Sequence, residues 1–101
     1  MLWYVVINAS MANQVVAKRI IEERMNDVKA RLTPYGGSRR RVTLEVDATT
    51  YNEAGNLALR RLQQAFVEWD RQEGADINLD GAWVMHVSTE PLAPSAWDKL
   101  G

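Results

Sequence analysis

Cysteine is missing from all 101 residues, which removes disulfides, thiolate metal sites and thiol nucleophiles together. The same absence suits a reducing compartment, so a cytoplasmic location is expected. His86 is the single histidine, and no site built on two imidazoles can exist. No apolar run approaches the ~18 residues of a membrane-spanning helix, and no membrane contact is expected. Excess charge is lacking too. Twelve Lys and Arg stand against thirteen Asp and Glu, a net charge of −1 that gives no global field to draw in nucleic acid or anionic lipid. The start, MLWYVVINAS, has no basic segment ahead of its apolar residues and reads as a strand rather than a leader peptide.

What is there belongs to an ordinary soluble globular chain, 47% apolar and 25% charged. It divides into one domain over 1–90 and a tail over 91–101, broken by Pro91 and Pro94 and ending in a short anchoring turn with Trp97 and Leu100.

The most legible stretch is Arg39 to Trp69. Val42, Leu44, Val46 and Ala48 alternate with Thr43, Glu45 and Asp47, the period of a strand buried on one face. Thr50-Tyr51-Asn52-Glu53 then has the form of a capping box. Ala54, Ala58, Leu62, Ala65, Phe66 and Trp69 follow at helical spacing, with Gly55 among the small residues that let another backbone approach.

Around this stretch, Leu2–Asn8 is apolar on both faces and reads as a central strand. Ser10 is taken as the N-cap of a helix running to about Leu32, with Ala17, Ile21, Met25, Val28 and Leu32 as its stripe. Such a helix would be roughly 33 Å long and overhang a seven-residue strand of roughly 23 Å, leaving Val28 and Leu32 to a loop or a partner. Asp80-Gly81 fits a two-residue turn, making 76–88 a hairpin in which Trp83, Met85 and Val87 share one face and Val84, His86 and Ser88 the other. The order β-α-β-α-β(-β) predicts an α/β (α+β) two-layer sandwich, one small mixed sheet with two helices on one face. It is only distantly ferredoxin-like, because the nine residues between Leu32 and Val42 leave too little room for the extra strand that arrangement needs.

The other sheet face would carry Leu2, Tyr4, Val6 and Val84 beside Thr43, Glu45 and His86, too apolar for free solvent and too polar for a core. Either the tail or a second subunit is expected to cover it. Candidate interface residues are therefore Tyr4, Val84, Val28, Leu32, Trp97 and Leu100.

Candidate chemistry is sparse. Asp76-x-Asn78-x-Asp80-Gly81 matches half of a calcium loop, but Val87 stands where the bidentate Glu belongs, and a turn explains Asp-Gly more simply. Gly36-Gly37-Ser38 leads from a helix into a strand, the wrong direction for a phosphate loop. Asn8, Ser10, Asp47, Thr49 and Thr50 would gather at one sheet edge if the first two strands were parallel, though helix capping accounts for them. Arg39-Arg40-Arg41 with Tyr35 nearby can contact phosphates and stack a base, or simply be a solvated strand entrance. His86 near Glu45 or Tyr4 is more simply a polar residue on a half-covered face than an acid–base catalyst.

Three readings follow. The first is a small non-catalytic binding or interaction module, a homodimer or protein-partner domain using the partly apolar sheet face and needing no cofactor or metal. The second is a nucleic-acid-binding accessory protein using Arg39–Arg41 with Tyr35 nearby; Glu45 and His86 are further candidate binding residues of the domain, not tied to nucleic acid. The third is a small enzyme, for which no set of acid, base and electrophile can be named.

Overall fold

In the computed structural model, residues 1–11, 13–34, 39–73 and 79–90 are described. The elements in order are β1 (Leu2–Met11), α1 (Gln14–Arg24), β2 (Arg31–Pro34), β3 (Arg39–Asp47), α2 (Tyr51–Glu73) and β4 (Leu79–Ser88). They form a two-layer sandwich, a four-stranded sheet in the order β2-β3-β1-β4 with both helices packed on it. Every pairing is antiparallel, so the sheet is not mixed. β1 and β2 run parallel with β3 inserted between them, and β3 and β4 run parallel around β1. This is the split strand–helix–strand arrangement of ferredoxin-like domains, complete rather than distant.

The strand that completes it comes from residues assigned to the first helix. β1 does not stop at Asn8, because Ser10 pairs with Arg39 and Met11 with Leu79. The cap of α1 is accordingly Asn13, whose side chain accepts from Val16 N at 3.2 Å, and not Ser10. At the other end, Asn26 and Asp27 are weak helix formers, and a 3-10 turn over Asn26–Val28 replaces the α-helix. Lys29 then turns the chain through the left-handed region at φ 50°, and Ala30 N donates to Met25 O at 3.2 Å. Arg31–Pro34 is thereby free to pair with β3, Leu32 opposite Val42. Val28 and Leu32 do not overhang; both are half-buried against the core. Arg61 of α2 holds this turn, donating to the Arg24 carbonyl at 2.5 Å and to Asp27 Oδ1 at 2.9 Å.

The second strand and helix form as their pattern predicts. Ala54, Gly55, Ala58, Leu62, Ala65, Phe66 and Trp69 are the buried residues of α2. Half of the capping box is present, with Glu53 N donating to Thr50 Oγ1 at 3.2 Å; the Glu53 carboxylate accepts from Thr49 Oγ1 at 2.8 Å instead of reaching Thr50 N. The core lies between helices and sheet, and takes Val5, Ile7, Ala9 and Met11 from β1 and Val42, Leu44 and Val46 from β3. Trp69 seals its rim between the guanidinium groups of Arg19 and Arg24, 5.3 and 5.4 Å from the ring centre.

β4 departs most from its expected form. Leu79, Asp80 and Gly81 continue one strand with Ala82–Ser88, so there is no hairpin turn at Asp80-Gly81. Gly81, at φ 58°, belongs to a bulge in which Gly81 and Ala82 together face the single Ala9. Met85 makes a second bulge: His86 pairs with Val6, yet Val84 pairs with Ile7. One extra residue inverts the alternation beyond it. Val84 and Ala82 turn toward the helices, and Trp83 turns away from them, the reverse of the expected assignment.

Candidate functional site

The registers define the helix-free face row by row. β1 contributes Tyr4, Val6, Asn8 and Ser10. Opposite them stand Glu45, Thr43, Arg41 and Arg39 of β3, and Ser88, His86, Trp83 and Asp80 of β4. Beyond β3, Arg31 and Thr33 of β2 lie opposite Thr43 and Arg41.

The centre of this face is closed. Val6 is 2% exposed, Asn8 1% and Arg41 2%, although none of them faces the helices. The rim is open: Arg39 and Arg31 are exposed, and Trp83 is 48% exposed. Asn8 ties the two regions together. With its amide turned to suit its neighbours, the oxygen accepts from Trp83 Nε1 at 3.1 Å and from Arg39 Nη1 at 3.0 Å, while the nitrogen donates to Arg40 O at 3.3 Å. A buried amide thus pins the polar edges of an exposed indole and an exposed guanidinium to one atom. Since guanidinium has five N–H donors, Arg39 keeps most of its capacity.

The arginine run does not present itself as one cluster. Arg40 pairs with Ala9 on the helix side, is buried, and donates to Arg39 O at 2.6 Å. Arg41 is buried on the other side, and only Arg39 reaches solvent. Glu45 and His86 share the face without meeting. Glu45 stands opposite Tyr4 and His86 opposite Val6, two strands and two residues apart, or about 12 Å between backbones. Glu45 instead faces Lys29, with 3.8 Å between charged atoms. Tyr4 is half-buried, one row from His86. Val84, Val28 and Leu32 lie on the core side, while Tyr35, Trp97, Leu100, Asp76 and Asn78 fall outside the described residues.

Antiparallel pairing also separates residues expected at one edge. Asn8 and Ser10 lie at the Arg39 end, Asp47 at the opposite end beside Leu2. There an open cleft of about 430 Å³ has Leu2, Val28, Val46 and Leu57 as its apolar lining. Each carboxylate in it already faces a cation: Asp27 with Arg61 at 2.9 Å, Glu45 with Lys29 at 3.8 Å, and Asp47 with the Met1 ammonium at 2.8 Å. The Met1 hydrogen bond and charge hold the Asp47 carboxyl below its ordinary range.

Among the described residues, no group of three His, Asp or Glu side chains is placed to hold a metal ion, and no helix is long and apolar enough to cross a membrane. Sequence reasoning does not single out Trp83 as a site residue, and it places Asn8 only among polar residues at a sheet edge that helix capping accounts for. Trp83 was assigned to the opposite face, and only the extra residue at 85 moves it. Asn8 carries no pattern of its own and matters only through the register that sets it between Trp83 and Arg41. No family model, curated protein or solved structure matches this chain.

Proposed function

We propose that this protein is a non-catalytic binding module, working in the cytoplasm, that recognises a macromolecular partner through the Trp83 corner of its helix-free face. The observation that carries this reading is the anchoring of a half-exposed indole to a buried amide. Trp is usually well buried and dominates recognition where it is not. A fixed ring also loses little conformational freedom on binding, which favours affinity. The absence of cysteine supports the cytoplasmic location.

A homodimer is the other form of the same reading. It draws support from the apolar character of Tyr4 and Val6 on this face, and is weakened by the burial of Val6, Asn8 and Arg41 within one chain.

Stability separates a recognition residue from a structural one. Trp83→Ala is expected to cost less than about 1 kcal/mol in chemical denaturation, as surface substitutions do. A loss of about 3 kcal/mol or more, the scale of a core aromatic, would mark the indole as structural and sink the proposal. Light scattering on the same two proteins then decides the homodimer. The expected mass is that of a monomer for both, and a wild-type dimer that Trp83→Ala splits would assign the corner to a second copy.

A further inference from the structure

The charged groups of the cleft at the Asp47 end are all internally paired, and Trp69 is held between arginines as a structural seal. The Trp83 corner is different, because the groups it shows to solvent are of two complementary kinds. We infer that this corner binds single-stranded nucleic acid, one base stacking on the Trp83 indole while Arg39 takes an adjoining phosphate. The inference rests on the binding-module reading above.

Three observations carry it. The indole edge is held by Asn8, so its ring stays presented as a platform, and bases of any sequence stack on such a platform. The guanidinium donating to the same Asn8 oxygen is exposed, which places a phosphate-binding group beside the stacking group. The charge of the face is also divided. Its arginines, Arg31, Arg39 and Arg41, lie on β2 and β3, whereas Glu45 and Asp47 lie toward the far end and each face a cation. Asp80 pairs with Ser10 on the opposite side of β1 from Arg39, so a backbone running from Arg39 toward Arg31 moves away from it and from β4.

Single strands fit better than a duplex. The DNA major groove admits a helix or a two-stranded ribbon, not the face of a four-stranded sheet. Stacking further requires a base that is not already stacked on its neighbours, which loops and single strands supply. With a net charge of −1 the whole chain adds little attraction, so binding should be local and of modest strength.

The test is fluorescence anisotropy of the full chain with labelled oligothymidylate and oligouridylate, and with a duplex of equal length, at about 50 and 200 mM salt. Binding to the single strands is expected, with a shallow salt slope of roughly −0.7 for each phosphate engaged. Trp83→Ala should weaken binding about ten-fold or more, while Trp83→Phe retains most of it. Arg39→Ala should weaken binding and flatten the slope by about 0.7. Thermal melts confirm that each variant is folded, and Trp83→Phe keeps the test valid if the alanine variant is not. No binding of either oligonucleotide at the lower salt overturns the nucleic-acid inference and leaves the module to a protein partner or a second copy. Duplex bound as tightly as single strand overturns the stacking arrangement. Binding untouched by both Trp83→Ala and Arg39→Ala overturns the corner as a site and the module reading with it.

Discussion

Three described tryptophans show how one side chain serves three ends. Trp69 is buried between two guanidinium groups and joins α1 to α2. Trp3 donates from Nε1 to the Ala48 carbonyl at 3.0 Å and meets Tyr51 edge-on at 6.4 Å, which fixes the exit of β3. Trp83 has its polar edge satisfied by Asn8 and about half of its surface exposed, the arrangement on which the proposed recognition role rests. Among the described residues, Asp47 is the one whose carboxyl is clearly shifted by its surroundings. Its carboxyl is held low by the hydrogen bond and charge of the Met1 ammonium, so the folded state favours the ionised form. The resulting stability is present above the unfolded value of about 3.9 and is lost as pH falls through the lower folded value. A carboxylate titration followed by carbon NMR should place the Asp47 midpoint below about 3.9, and acetylating the amino terminus should return it to that value. A midpoint unmoved by acetylation would assign the shift to another cause.

At the scale of elements, the helix α2 and the strand β3 were legible because their periodicity, caps and turn residues all agree. β2 was not. Val28 and Leu32 continue the spacing of the α1 stripe, and a four-residue strand is too short to show a period of its own. What decides the matter is the left-handed turn at Lys29, a conformation that a lysine does not announce. The bulges of β4 were hidden for a related reason, since strict alternation assumes that no residue is added to either strand. Gly55 supplies the prediction at this scale. A Cβ there would lie 3.7 Å from Val84 and Val87, an ordinary contact, so Gly55→Ala should fold normally. It should gain up to about 1 kcal/mol from helix propensity, seen as a higher melting temperature. Gly55→Leu should instead lower it by about 1–3 kcal/mol, because the larger side chain must displace those valines.

For the whole molecule, the order of the sheet sets where the fold is strongest. β1 is paired on both sides over nearly its whole length, and its Val5, Ile7 and Met11 lie in the core. β2 pairs once, over four residues. Amide hydrogen exchange should therefore be slowest at Val5–Asn8 and fast throughout Arg31–Pro34, because opening the centre requires opening everything. Exchange at β2 as slow as at β1 would mean that the edge strand is held by more than its ladder. The same topology explains why the candidate site lay mostly beyond sequence reading. Arg39 and Tyr4 were recognisable as types, but Asn8, Trp83 and Arg39 lie 31 to 75 residues apart in sequence and meet only through two registers.

The two bulges of β4 also bear on how copies of this protein meet. A regular edge strand offers evenly spaced N–H and C=O groups on which another strand can grow, the first step of aggregation and of edge-to-edge assembly. β4 spends ten residues pairing with the eight from Tyr4 to Met11, so its spacing is broken twice along that length. A fifth strand laid along it would lose register at each break. The opposite edge, β2, is only four residues long. Among the described strands, sheet growth is thus hindered on one side and cut short on the other, which favours faces and corners over edges as surfaces of contact.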